Sequence, residues 1–215
     1  MSQSKPTLPQ ARPVTVDVNK TALLVLDLTE ACADPNHPSH KLVPEMRKFL
    51  DRVRAVGMLI VFTVSLALKG KPAGQVYSGF KRRPSEAVLF PDGFDKFTGG
   101  ELESLLKLYD IDTLIITGCR SNICVLHTAI KAARELDYKV VIPIDGLAAL
   151  TDYEQEYTLF HLAYPPGRAE GRCTFTEFDM LRCVFRTKSA GVSEQIGHPD
   201  GLNRPPSRSK PATPG

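Results

Sequence analysis

Two short segments of the sequence contain residue types that could form a covalent bond with a substrate. Asp27 ends an apolar run that begins at Ala22, and Cys124 ends the turn Gly118-Cys-Arg-Ser-Asn-Ile-Cys ahead of a predicted helix. Unpaired N–H groups and the helix dipole stabilise an anion in a first helical turn, so the pKa of Cys124 is predicted to fall. The same N–H groups could donate to the oxyanion that forms when a thiolate attacks a carbonyl or an amide.

Position alone leaves other roles open for both residues. A cysteine at this point fits equally well as a small buried residue that packs the helix on its strand. A carboxylate such as Asp27 at the end of a buried strand could also cap a helix or lie at the surface. Further signals are therefore needed to assign either residue to catalysis.

The elements that must position these residues follow from the hydrophobic pattern. Apolar runs of strand length alternate with segments of helical period, which is typical of a parallel sheet covered on both faces. The pattern predicts a three-layer α/β/α sandwich with a mostly parallel, Rossmann-like sheet of about six strands. The predicted strands are 22–27, 58–65, 87–90, 113–118, 139–145 and 173–178, and the predicted helices are 43–56, 101–109, 122–136 and 153–163.

Open parallel sheets bind ligands outside the carboxyl ends of their strands, where the strand order reverses. Asp27 and the turn ending in Cys124 both follow such strand ends. The fold prediction therefore favours a site in which the two side chains meet.

Composition divides the chain into three parts. Residues 1–19 are rich in Pro, Ser and Gln, and residues 189–215 are rich in Pro, Gly and Ser. Neither segment can bury much apolar surface, so both are predicted to be flexible tails. The remaining residues, 20–188, are predicted to form one domain.

Charge and cysteine content exclude several classes of protein. A net charge of +3 is too small to indicate a nucleic-acid or membrane partner. The five cysteines are odd in number and contain no Cys-x-x-Cys pair, which favours a reducing compartment. Without a signal-like start or an apolar run of roughly 18 residues, the protein is expected to be soluble and cytoplasmic.

One region carries a family resemblance. The run IDTLIITGCRSNICV, from Ile111 to Val125, is followed by His-Thr-Ala and by the run YKVVIPIDG that starts at Tyr138. Together they resemble the signature of the isochorismatase-like cysteine hydrolases, which include nicotinamidases, N-carbamoylsarcosine amidohydrolases and ureidoacrylate-type amidohydrolases. The likeness extends from about Thr21 to Phe178, and its most specific part is the Gly-x-x-x-Asn-x-Cys-Val turn combined with an Asp at the end of the first strand.

The resemblance implies a role for each residue of this region. Cys124 would attack the substrate, Asp27 would take its proton, and a lysine would complete the triad. A cis peptide bond is implied between Cys119 and Arg120, and the amides of Arg120 and Cys124 would form the oxyanion hole. No cofactor is implied, the substrate would be a small molecule, and a homo-oligomer, a dimer or a tetramer, is expected.

The lysine lies at an unusual place. Much of the family has a lysine several residues ahead of a Ser-Ala-Phe-x-Gly-Thr-x-Leu stretch, but that spacing falls near Pro91 in this chain. Lys96, in Phe-Asp-Lys-Phe-Thr-Gly-Gly-Glu-Leu, resembles a variant arrangement and is predicted to complete the triad. The alternative is that Lys96 is a solvated loop residue.

These features predict hydrolysis of a small amide, ureido or related C–N bond through a covalent acyl-thioenzyme. No metal is expected, because His37 and His40 lie in a Pro-rich loop without the ligand spacing of nicotinamidases. The competing hypothesis is a non-catalytic scaffold or interaction protein with an incomplete triad, supported by the displaced lysine and by the altered residues after Asp27. Convergence of Asp27, Lys96 and Cys124 would favour the enzyme.

Overall fold

The computed structural model describes residues 7–164, 171–186 and 192–193. Its main sheet has seven strands in the order β4-β3-β2-β5-β6-β8, with β7 paired to β5. The strands are β1 (Val14–Asp17), β2 (Thr21–Leu26), β3 (Leu59–Thr63), β4 (Ala87–Leu89), β5 (Thr113–Cys119), β6 (Lys139–Pro143), β7 (Leu147–Ala148), β8 (Cys173–Thr176), β9 (Leu181–Arg186) and β10 (Val192–Ser193). All pairings within the main sheet are parallel, which confirms the predicted fold class.

Four helical segments cover this sheet. They are α1 (Val43–Ala55), α2 (Glu101–Leu108), α3 (Leu126–Ile130) and α4 (Asp152–Ala163). Turns of π-helix, Ser121–Val125 and Lys131–Glu135, extend α3 at its two ends. Gly57, which has a positive φ of 70°, follows the end of α1 as the sequence predicts.

Successive side chains of β2 point to opposite faces of the sheet, which gives the sandwich its layers. Leu23 and Val25 pack in one core with Phe49 and other residues of α1. Leu24 and Leu26 point to the opposite core, which contains apolar residues of α2, α3 and α4. Both faces of the strand are therefore buried, which explains its continuous apolar character.

The order of the strands reverses between β2 and β5. Gly118 makes this junction possible, because a Cβ atom there would lie 2.2 Å from the carbonyl oxygen of Leu26. Its φ of 137° is also one that side-chain-bearing residues rarely adopt. The carboxyl ends of β2 and β5 thus lie side by side at the switch point of the sheet.

A second, three-stranded sheet corrects the predicted tail boundaries. Residues 14–17, predicted to belong to a flexible tail, form β1, which pairs in parallel with β9. The prediction was wrong here because four residues carry too little periodicity, although Val16 and the following Val18 are buried in the core. β10, within the predicted C-terminal tail, pairs antiparallel with β9. The rest of that tail, residues 189–191 and 194–215, lies outside the described residues, as do residues 1–6.

Two strands of the predicted domain were absent from the prediction. β7 has two residues and raises the main sheet to seven strands, against about six predicted. β9 was not predicted as a strand at all. Among the described residues, no helix combines the length and apolar character needed to cross a bilayer.

A buried ion pair anchors the segment that leads into β4. Arg54 of α1 donates from Nε and Nη2 to the two carboxylate oxygens of Glu86, at 2.7 and 2.9 Å. The two side chains are only 5% and 7% exposed. Burial opposes ionisation of Glu86, but hydrogen bonds from Arg54 and from the Arg83 backbone outweigh it and lower the pKa of this carboxyl. The chain continues from this anchor through β4 into the loop that contains Lys96.

We expect Arg54→Met to reduce the free energy of unfolding by about 3–5 kcal/mol, because it leaves a buried carboxylate without its partner. Lys48→Met is the matched control on the same helix, because Lys48 forms only an exposed pair with Glu45, whose loss should change the stability far less. Urea unfolding at neutral pH measures the free energy of unfolding of both variants. The stabilisation by Glu86 is present above its ordinary pKa of 4.5 and is lost as the pH falls through its lowered pKa, so the difference should shrink in acid. Equal effects of the two substitutions would contradict this prediction.

Candidate active site

Three chain segments meet at the switch point of the main sheet. Asp27 directly follows β2, Lys96 lies in the loop between β4 and α2, and Cys124 lies in the π-helical turn that follows β5. The backbone of Asp27 is left-handed, with a φ of 55°. Such a conformation is uncommon for a residue with a side chain, although Asp tolerates it better than most. The N–H of Asp27 donates to the carbonyl of Thr63 at 3.0 Å, which holds this bend against β3.

Lys96 points into the protein and contacts Asp27. Its Nζ lies 2.7 Å from Oδ2 of Asp27, and its side chain is only 1% exposed. The backbone N–H of Lys96 donates to the hydroxyl of Thr128 in α3 at 3.1 Å, which ties the loop to that helix. The alternative that Lys96 is a solvated loop residue is therefore wrong.

Cys124 lies beside the same carboxylate. Burial, the negative charge of Asp27 and hydrogen bonding with it raise the pKa of the Cys124 thiol to about 12. The charge of Lys96 and a hydrogen bond from the backbone of Arg120 act in the opposite direction but do not prevail. The sequence-based prediction of a lowered pKa is wrong, because it considered the helix N-terminus without the burial and the adjacent carboxylate. With this raised pKa, Cys124 is a thiol at neutral pH, beside the carboxylate of Asp27.

The turn ahead of Cys124 has the backbone features expected from the resemblance. The peptide bond between Cys119 and Arg120 is cis. The carbonyl of Arg120 accepts from the N–H groups of Ile123 and Val125 at 3.2 and 3.3 Å, which begins the helix.

Sequence reasoning missed one residue of this region, Glu154. Its Oε1 accepts from Nη2 of Arg120 at 3.0 Å and from Nδ2 of Asn122 at 3.1 Å. The sequence signal was the Thr-x-x-Glu pattern from Thr151 to Glu154, which is typical of a helix-capping box. That pattern predicts a helix start but does not indicate a contact with a distant turn.

The two loop histidines contact nearby protein groups. Nδ1 of His37 lies 2.7 Å from the hydroxyl of Ser39, and Nδ1 of His40 lies 2.8 Å from the carbonyl oxygen of Cys32. Within residues 7–164, 171–186 and 192–193, no cluster of three or more His, Cys, Asp or Glu side chains could hold a metal ion.

Comparison with known proteins places this chain in a family. The model of the isochorismatase domain matches residues 21–170, and the chain belongs to the isochorismatase family. The isochorismatase family protein YwoC of Bacillus subtilis strain 168 is 28% identical over 166 residues, which cover 68% of this chain and 87% of YwoC. The N-carbamoylsarcosine amidase of an Arthrobacter species is 25% identical, covering 74% of this chain and 71% of the amidase. The crystal structure of a nicotinamidase from Staphylococcus aureus superposes with a TM-score of 0.63 at 26% identity, covering 74% of this chain and 97% of the nicotinamidase.

We expect Asp27→Asn to lower the pKa of Cys124, because it removes both a negative charge and an ionic hydrogen-bond acceptor beside the thiol. The shift should be about one pH unit or more, the usual effect of a charge at hydrogen-bonding distance. Iodoacetamide alkylation of Cys124 across a pH series, followed by peptide mapping, measures this shift. Asp92→Asn is the control, since Asp92 is exposed in the Lys96 loop. An unchanged or higher pKa in Asp27→Asn would show that the carboxylate does not act on the thiol.

Proposed function

We propose that the protein is a cysteine-dependent amidohydrolase that cleaves a small amide, ureido or related C–N bond through a covalent acyl-thioenzyme. The observation that carries this proposal is the contact between the buried Lys96 ammonium and Asp27, 2.7 Å apart, beside the thiol of Cys124. A nucleophile, a base hydrogen-bonded to it and a third group that orients the base form the usual arrangement for nucleophilic catalysis. The amidase and nicotinamidase relatives support the same class of reaction.

In the proposed reaction, Asp27 takes the thiol proton as the sulfur of Cys124 attacks the substrate carbonyl carbon. The high pKa of Cys124 means that free thiolate is scarce before substrate binds, so proton transfer accompanies the attack. The backbone N–H groups of Arg120 and Cys124 donate to the developing oxyanion. The C–N bond then breaks, and the amine leaves with the proton held by Asp27.

Deacylation uses the same carboxylate a second time. Asp27 accepts a proton from a water molecule as that water attacks the thioester, and the proton returns to the sulfur of Cys124 as the acid product leaves. The ammonium of Lys96 stays beside Asp27 and balances its charge while the carboxylate is ionised. Each step thus needs Lys96 to be charged, buried and in contact with Asp27.

The competing scaffold hypothesis depended on Lys96 pointing to solvent. Burying an ammonium group carries a desolvation cost of several kcal/mol, which only a close ionic partner offsets. Buried charge pairs of this kind, next to a nucleophile at the switch point of a parallel sheet, are typical of catalytic sites. The geometry of Lys96 therefore favours the enzyme over the scaffold.

We expect the protein to release ammonia from at least one member of a panel of small amides and ureides. Lys96→Ala should lower the turnover number by about 10²-fold or more, because a positioned charge-stabilising group is lost. Cys124→Ala should abolish turnover, and the double variant should be no worse than Cys124→Ala alone, because the two residues act as one unit.

Two controls accompany these variants. Lys107→Ala removes an exposed cation from α2 and should leave turnover unchanged. Lys96→Met keeps the bulk of the side chain and should lose as much turnover as Lys96→Ala, which separates charge from packing. Near-wild-type turnover in Lys96→Met on a substrate that Cys124→Ala cannot process would refute a catalytic role for this lysine.

Activity on the same substrate should survive exhaustive dialysis against EDTA, because the proposed chemistry uses no metal. Turnover is measured before and after dialysis, and again after addition of zinc. Loss of turnover with EDTA and its recovery with zinc would contradict the proposed mechanism.

A further inference from the structure

A single carboxylate joins the start of α4 to the turn ahead of the nucleophile. Oε1 of Glu154 accepts from Nη2 of Arg120 at 3.0 Å and from Nδ2 of Asn122 at 3.1 Å. Oε2 accepts from the backbone N–H groups of Leu150 and Thr151, at 2.9 and 3.1 Å. Glu154 thus uses one oxygen for the helix and the other for the turn.

Capping of α4 accounts for only half of these contacts. The capping box consists of the Thr151 hydroxyl, which accepts from the N–H of Glu154 at 3.2 Å, and the Glu154 carboxylate, which accepts from the N–H of Thr151. Neither bond involves Oε1. The contacts with Arg120 and Asn122 therefore need a separate explanation.

The turn itself has few side-chain hydrogen bonds. In the described part of the chain, the side-chain bonds of Arg120 and Asn122 both end on Glu154. Three other polar atoms of the turn, Nε of Arg120, Oγ of Ser121 and Oδ1 of Asn122, are buried without a hydrogen-bond partner there. Buried polar atoms without partners destabilise the conformation that contains them, so the turn relies on Glu154 to hold its shape.

The charge state of Glu154 suits this role. Partial burial opposes ionisation, but hydrogen bonds from the Thr151 and Leu150 N–H groups and from Arg120 outweigh it and lower the pKa of this carboxyl. The carboxylate is thus ionised at neutral pH, and charge-assisted hydrogen bonds are stronger and shorter than neutral ones.

We propose that Glu154 is a positioning residue that holds the turn of residues 120–122, which leads directly into Cys124. Because the backbone N–H of Arg120 would donate to the oxyanion, the catalytic consequence of this role rests on the proposed function. The effect on the thiol does not, since the backbone of Arg120 acts to lower the pKa of Cys124 whether or not a substrate is bound.

The test measures iodoacetamide alkylation of Cys124 across a pH series in the full-length protein, with peptide mapping. We expect Glu154→Ala and Asn122→Ala each to raise the pKa of Cys124 and to slow its alkylation at a fixed pH by about tenfold, as loss of a hydrogen bond to a charged group predicts. The double variant should be no slower than the slower single variant, because both substitutions break one contact.

Thr151→Ala is the matched control. It removes the other half of the capping box and leaves Oε1 of Glu154 free to hold the turn, so alkylation should stay within about twofold of wild type. Asn122→Ala keeps the cap of α4 and the net charge, so the inference stays testable if Glu154→Ala fails to fold.

Two results would overturn the inference. One is that Cys124 is alkylated as fast in Glu154→Ala as in Thr151→Ala, which would mean that Glu154 acts only as a helix cap. The other is faster alkylation in Glu154→Ala with no change in Asn122→Ala, which would mean that the freed charge of Arg120 acts on the thiol.

If no amide or ureide is hydrolysed by the wild type but the alkylation pattern holds, the proposed function fails and the positioning role stands. With a substrate in hand, Glu154→Ala should lower kcat and leave KM nearly unchanged.

Discussion

The contact between Lys96 and Asp27 is the interaction on which the site depends. An ammonium group buried to 1% exposure is tolerable only beside an ionic partner, so the loop that contains Lys96 must close over the end of β2. Asp27 is this partner. Its backbone is left-handed and is held in place by the hydrogen bond from its N–H to the carbonyl of Thr63. The loop is held in turn by the hydroxyl of Thr128, which accepts from the backbone N–H of Lys96. Breaking the ion pair would leave both partners partly buried and uncompensated.

The same pair sets the state of the thiol. The negative charge of Asp27 beside the thiol of Cys124 disfavours a thiolate. In the proposed function, Cys124 is therefore a nucleophile that is protonated at rest and next to its base. A thiol in this state is protected from unspecific electrophiles, since the thiolate is the reactive form. Reactivity then depends on a substrate carbonyl that reaches the sulfur and on donors that stabilise the oxyanion.

The scaffold brings these groups together through close packing. Gly118 lets β5 approach the carbonyl of Leu26, so that the two strands whose ends hold Asp27 and the turn are direct neighbours. Helix α4 reaches the same turn through Glu154, although its residues lie beyond β7 in the chain. The sheet, through β5, and helix α4 therefore both contact the turn just ahead of Cys124, and the geometry of that turn depends on both.

The α/β class, the three-layer arrangement and the segments that contain Asp27, Lys96 and Cys124 could all be predicted from the amino-acid sequence. Continuous apolar runs such as that of β2 identify buried parallel strands, and the Asn-x-Cys turn is local enough to be recognised from adjacent residues. Strands such as β1 and β7 were missed because two to four residues carry almost no periodic signal, and their pairing depends on partners far along the chain.

The charge states and contacts of the site could not be predicted in this way. The direction of Lys96, the raised pKa of Cys124 and the role of Glu154 all depend on distances between segments that are remote in sequence. A helix N-terminus favours a thiolate, but the effect falls off within one turn, whereas burial and an adjacent carboxylate act at the sulfur itself. The local pattern showed which residues could react, and the long-range packing set their charge states, because desolvation and charge proximity exist only once the chain is folded.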